Sequence, residues 1–129
     1  MRKILLSIFT LIAIHVSAQD CSDLFISEYV DGPGNNNAIE VYNPTTSLID
    51  LSGYTINRYS NGSPIEPEVW QLSGSIAAGD VIIVGNGQLD SVDAGGWISP
   101  AVDPNFYAIL DDHCDGDYDA NSTFYFNGN

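Results

Sequence analysis

After about residue 22 the chain alternates apolar and polar residues over short stretches, and each stretch ends at turn chemistry. Leu24 to Val30 predicts a first apolar-rich strand. It runs into Asp31-Gly32-Pro33-Gly34-Asn35-Asn36-Asn37, a loop that no regular element absorbs. Ala38-Ile39-Glu40-Val41-Tyr42 has period two, with Ile39 and Val41 on one face, and Asn43-Pro44 stops it. Leu51 to Tyr59 predicts a third strand with Tyr54 and Ile56 sharing a face, and Asn61-Gly62 turns the chain. Val69 to Leu72 ends before Gly74. After the turn at Ala78-Gly79-Asp80, the β-branched run Val81-Ile82-Ile83-Val84 predicts a strand buried on both faces or close to it, closed by Gly85-Asn86-Gly87. Phe106 to Leu110 and Thr123 to Phe126 are later strand candidates. Gln88 to Pro104 is poor in strand signals and reads as a long surface loop, with Trp97 as its anchor.

No window after the N-terminal region carries a helical apolar stripe. Turn signals recur every 8–12 residues or so, the spacing of a sandwich or barrel. The expected fold class is all-β. Asn127-Gly128 is a hairpin turn signal followed only by Asn129, so either the end frays or, as expected, this is the front piece of a longer protein whose next strand lies beyond it.

The first 18 residues differ from the rest. Arg2 and Lys3 precede an apolar run from Ile4 to Ile14, and Val16-Ser17-Ala18 supplies small residues for cleavage. This is the pattern of a secretory signal peptide, too short for a membrane span of about 20 residues. The remainder, 19–129, is expected to be one domain, secreted or held at the cell surface. Gln19 and Asp20 before Cys21 are the wrong neighbours for lipid modification.

Charge sharpens this picture. The chain has 17 acidic and 3 basic residues and a formal charge of −14, which becomes −16 once Arg2 and Lys3 leave with the leader. Arg58 is then the remaining base. Unaided binding to nucleic acid or to anionic lipid is excluded as an expectation, because phosphates need Lys and Arg partners. Cys21 and Cys114 would meet an oxidising compartment, where a disulfide would close a loop of about 94 residues, worth roughly 4–5 kcal/mol in the chain-entropy model. Two separate thiols, one of them a metal ligand, is the alternative.

The sharpest local feature is Asp111-Asp112-His113-Cys114-Asp115-Gly116-Asp117-Tyr118-Asp119. Alternate carboxylates on a looped backbone converge on a hard cation, so Asp111, Asp112, Asp115, Asp117 and Asp119 are candidate calcium ligands. Ala120 and Phe126 stand where an EF-hand needs Gly and Glu, so the loop is not an EF-hand. A solvated acidic loop is the bland alternative, and a transition-metal site using His113, Cys114 and an Asp is a third. Glu28 and Glu40 interrupt apolar strands and would do acid–base work only if held close. Otherwise each faces solvent or accepts hydrogen bonds from turn N–H groups. His113 is the one histidine after the leader, and no Gly-x-Ser-x-Gly elbow exists, so no catalytic residue is expected. Aromatics are numerous, and most read as core; exposed ones, Trp97 or Trp70, would suit a carbohydrate-binding module.

Ile39-Glu40-Val41-Tyr42-Asn43-Pro44 followed by Ile49-Asp50-Leu51-Ser52-Gly53-Tyr54 resembles the lamin-tail domain family. Leu24 to Tyr29 looks like its first strand. Ile76 to Val84 looks like its Leu-x-Pro-Gly-Asp turn and central strand, with Ala78 in place of Pro. Phe126-Asn127-Gly128-Asn129 looks like the turn before its last strands. The resemblance covers about residues 22–129. It implies an immunoglobulin-like β-sandwich lacking its closing strands, of the type bacterial members export, often beside extracellular nucleases, phosphoesterases or other hydrolases. The nuclear role of animal members does not carry over to an exported, acidic chain, and the resemblance supplies no catalytic residues. The expected function is a non-catalytic extracellular binding or scaffolding module, partnered by an extracellular protein or polysaccharide. The alternatives are the N-terminal part of a secreted nuclease or phosphoesterase, and a carbohydrate-binding module.

Overall fold

Cross-strand pairs of β-branched residues build the frame of this molecule. A computed structural model describes residues 22–59, 62, 64–65, 68–93 and 95–114. In chain order the strands are β1 (Phe25–Asp31), β2 (Asn37–Tyr42), β3 (Ile49–Asp50), β4 (Thr55–Arg58), β5 (Glu68–Gln71), β6 (Ser75–Ile76), β7 (Val81–Asn86), β8 (Val92–Asp93), β9 (Ile98–Ser99) and β10 (Asp112–Cys114). A 3-10 turn spans Leu51–Gly53, and a single helical turn, α1, spans Pro104–Tyr107. The main sheet has the order β1-β2-β7-β10, antiparallel except for the parallel pair β7–β10. β3–β6, β4–β5 and β8–β9 form three antiparallel ribbons.

Register decides the faces. Ile26, Val41 and Ile82 lie across from one another, as do Tyr29, Ile39 and Val84. Glu28, Glu40 and Ile83 form a row on the opposite face. The register shifts between Ile26 and Glu28, so Ser27 is an extra residue that re-aims the rest of β1. Val41 from the sheet packs with Leu51, Leu72 and Ile76 from the ribbon layer, and Leu24, Tyr54, Ile56, Trp70 and Ile82 close around them. Two layers around one apolar core is the sandwich arrangement the strand spacing predicts.

Asn43 explains why β2 stops where it does. Its side-chain amide donates to the carbonyls of Ser47, Ile76 and Ala77 at 2.8, 3.0 and 3.0 Å, and its Oδ1 accepts from Thr45 N and Oγ1. Its backbone pairs with Asp80 O and Gly79 N. One buried Asn thus ties the end of the main sheet to the turn that launches β7, where Gly79 takes a φ of 72°.

Several expectations need correction. Phe106 to Leu110 is not a strand. Asp103 accepts from the backbone N–H of Asn105 and Phe106, and Pro104 opens the turn, so N-capping chemistry wins over the apolar run. Gln88 to Pro104 is more than a surface loop. It carries the β8–β9 ribbon, and its ends are held by buried Gln88, Ser99 and Val102. Gln88 Nε2 donates to Ser99 O and Pro100 O, each at 3.0 Å, while Trp97 is 46% exposed. β7 runs through Gly85 to Asn86 instead of closing there, because Gly85 pairs with Ala38 and His113 and Asn86 with Cys114, and a residue without Cβ leaves room for Asn37 O. The segment expected as one strand from Leu51 divides into the 3-10 turn and β4, since Asp50 accepts from Ser52 N and caps a turn.

Candidate binding surface

β1 is the exposed member of the main sheet. All seven of its residues are exposed, although Phe25, Ile26, Tyr29 and Val30 are apolar or aromatic. Among the described residues its pairing is with β2 on one side. On the core-facing side lies an open hollow of about 220 Å3 lined by Leu24, Ile26, Val41, Tyr54, Ile56 and Leu72 among others. Its lip is closed by Tyr54 donating its hydroxyl to Asp23 Oδ1 at 2.6 Å, while Leu24 N donates to the same oxygen at 2.8 Å. These bonds hold the Asp23 carboxyl below its ordinary value, and the same bond to Asp23 pushes the Tyr54 hydroxyl up.

A second hollow, of about 120 Å3, lies on the other side of β1. Val30, Ile83, Phe106 and Leu110 line it, with Glu28 and Glu40 at its edge. The two glutamates are cross-strand partners, a proximity that sequence alone does not disclose. Glu40 accepts the Ser27 hydroxyl at 2.6 Å, so one carboxylate is oriented by the bulge residue. Like charges placed opposite each other in a ladder are unfavourable, and a cation from outside would relieve them. Partial burial, and then the Asp31 charge, push the Tyr29 hydroxyl up.

Among the described residues the chain supplies no cation there. Arg58 lies opposite Glu68 in the β4–β5 register and is ion-paired with it at 2.5 Å.

The acidic run begins at the far edge of the main sheet. Asp111 N donates to Ile83 O, and Asp111 Oδ2 accepts Ile83 N, both at 2.7 Å. That carboxylate therefore clasps β7 and completes its ladder. Asp112 Oδ1 accepts His113 N at 2.8 Å. His113 stacks on Tyr107 with ring centroids 3.7 Å apart, and its Nε2 is 2.9 Å from Tyr107 O. A carbonyl only accepts, so Nε2 carries the proton and is no metal-binding lone pair. Cys114 is buried at the end of β10. Asp115, Asp117, Asp119 and Cys21 lie outside the described residues, as do the leader and the Thr123–Phe126 strand candidate. Among the described residues no three His, Cys, Asp or Glu side chains converge as a metal set.

A family model described as Lamin Tail Domain matches residues 17–123. The chain belongs to the lamin tail domain family. Its immunoglobulin-like fold agrees with the all-β, two-layer arrangement observed here, and a domain of this type is consistent with a module that performs no catalysis. No curated protein and no solved structure matches the chain. No helix among the described residues is long and apolar enough to cross a membrane.

Sequence reasoning missed two features of this surface. The Ser27 bulge has no residue signature of its own. The coverage of β1 depends on which segment lies over it, which alternation does not encode.

Proposed function

We propose that this lamin tail domain is an exported, non-catalytic binding module, an accessory part of a larger secreted protein, and that its working surface is the β1 side of the sandwich. One observation carries the reading: a seven-residue strand with four exposed apolar or aromatic side chains lies between two hollows. Exposed apolar patches mark interaction sites, and β1 offers two such side chains on each face of the sheet. Export rests on the pattern of residues 1–18, and the acidity of the rest favours solubility at the cell exterior. Oxidation of Cys21 and Cys114 to a disulfide, and calcium held by Asp111, Asp112, Asp115, Asp117 and Asp119, belong to the same proposal and rest on the compartment and the carboxylate spacing.

Three measurements test it. Fusing residues 1–18 to a reporter enzyme should direct export, and retention in the cell contradicts the assignment. The processed chain should give a β-type circular-dichroism spectrum and turn over none of a panel of phosphodiester, nucleic-acid and glycoside substrates; turnover by the chain alone overturns the reading. Calcium should raise the melting temperature and bind in a calorimetric titration; no heat and no shift removes the metal.

A second reading, polysaccharide binding, is favoured by Trp97, half-exposed beside the β8–β9 ribbon. Trp70 packs against the core and is not a platform. Retention on insoluble polysaccharide that Trp97→Ala abolishes would favour that reading.

A further inference from the structure

The smaller hollow, on the outer face of the main sheet, is apolar inside and acidic at its edge. Glu28, Glu40 and Ile83 form a row on that face, with Val30 beside them, and Ile109 and Leu110 stand over it just after α1. Gly85 makes this enclosure possible. A Cβ there would lie 2.7 Å from Leu110 Cδ1, so its bare Cα lets Leu110 come down onto the sheet. The enclosed volume is about 120 Å3. That is the room of about four waters at about 30 Å3 each, and it suits a short carbon chain. At the edge Glu28 and Glu40 are direct cross-strand partners. The Ser27 hydroxyl donates to Glu40 at 2.6 Å, so this carboxylate is oriented before anything binds.

We propose that this hollow binds a small alkylammonium ion, its carbon chain lying between the sheet and Leu110 and its ammonium group between the carboxylates of Glu28 and Glu40. This deepens the binding-module reading and rests on it. Charge selects the occupant. Like charges opposed in a ladder are unfavourable, and an ammonium donating to both carboxylates replaces that repulsion with charge-assisted hydrogen bonds. The processed chain has no side chain to offer for this purpose. Its Lys and Arg residues are Arg2, Lys3 and Arg58; the first two leave with the leader, and Arg58 is ion-paired with Glu68. His113, the one histidine after the leader, is stacked on Tyr107 with Nε2 at the Tyr107 carbonyl. From residue 19 onward, the stretches outside the described residues contain no Lys, Arg or His. The counter-charge therefore comes from another molecule. A bare metal ion would leave the apolar walls unused, and a neutral carbon chain would leave the carboxylates opposed. An amine with a short aliphatic stem satisfies both.

The test uses the full chain after leader removal and titrates it at fixed ionic strength with pentylammonium, methylammonium or pentanol. Binding is read from the backbone amide chemical shifts of Val30, Ile83 and Leu110. Pentylammonium should bind at least about fivefold more tightly than either of the others, because each of them carries half of the recognised chemistry. The double variant Glu28→Gln with Glu40→Gln should weaken pentylammonium by at least about fivefold and leave pentanol unchanged. Ile109→Ser, at an exposed position on the wall, should weaken pentylammonium and leave methylammonium unchanged. Melting temperatures of these variants should stay close to that of the parent. Asp90→Asn, an exposed acid elsewhere, should change nothing, which separates the site from the general field of an acidic chain. Equal binding of methylammonium, or pentylammonium binding that survives the double variant, would overturn the site. Tighter binding of Nα-acetyl-lysine amide than of pentylammonium would assign the hollow to a lysine side chain of a partner and overturn the free amine. Once Lys3 is gone the α-amine is the one primary amine of the chain. Binding that appears only after its acetylation would give the carboxylates to the chain's own N-terminus and overturn the outside cation. Failure of every probe on a folded, non-catalytic chain removes this inference alone, whereas substrate turnover removes the module reading beneath it.

Discussion

β1 and β2 are neighbours in one sheet, paired antiparallel across the Ser27 bulge, and both carry apolar residues, yet β2 is mostly buried and β1 exposed. Ile26 and Val41 are direct partners on the same face, but Ile26 is 59% exposed and Val41 is 6% exposed. The difference lies in what covers them. Leu51, Leu72 and Ile76 lie over Val41, and Ile26 opens onto the hollow. Register therefore identifies the faces of the two strands, while burial is a property of the opposing layer. In this molecule the layer that covers β2 packs with Val41, while the side chains of β1 stay exposed.

The contrast can be broken most severely from the covered side. Leu51→Ala should cost about 2–5 kcal/mol in urea unfolding, because it empties the centre of the core. Gly87→Ala should cost about 1–3 kcal/mol, because a Cβ there would overlap the Cys114 carbonyl oxygen and push β10 from β7. Gly53→Ala, with open space around its Cβ position, is the control and should stay within about 0.5 kcal/mol. Asn43→Ala should cost about 1–3 kcal/mol, because three carbonyls lose their amide partner; the loss should show as faster hydrogen exchange at Gly79 and Val81.

The smallest effects belong to the exposed rim. Asp23 and Asp50 hold their carboxyls below the ordinary value of 3.8 through hydrogen bonds, so their contribution is present above that pH and is lost as pH falls through the lowered folded values. Both are fully solvent-exposed, so an acid melting series should show a loss of only a degree or two that Asp23→Asn removes in part. At the alkaline end Tyr54 is raised above 10.0, so its contribution is full at neutral pH and disappears as pH climbs through the raised value.

Much of the frame was legible in residue order. The period-two stretch at Ile39 and Val41 and the β-branched run at Val81 to Val84 became the centre of the main sheet. Asn43-Pro44 ended β2 as read, through a side-chain hub that no pattern announces. The Asp103-Pro104 pair did carry a helix-start signature, but the apolar run after it suggested a strand. β3 and β6 are two residues each, below the length at which alternation can be recognised. The candidate surface was legible only in pieces. Glu28 and Glu40 stood out as acids in apolar strands, whereas their pairing across the ladder depends on a register set by the Ser27 bulge. Asp111 belonged by sequence to an acidic run, and its carboxylate also accepts the Ile83 N–H, a contact that no pattern announces.

The most direct measurement is a matched pair of urea titrations on the processed chain, Ile26→Ala against Val41→Ala. Val41→Ala should cost about 2 kcal/mol, the worth of a buried valine side chain, and Ile26→Ala less than about 0.5 kcal/mol, although it removes more carbon. Equal costs for the two partners, or a larger one for Ile26, would show that β1 is part of the stabilising core and contradict the account that burial follows the covering layer.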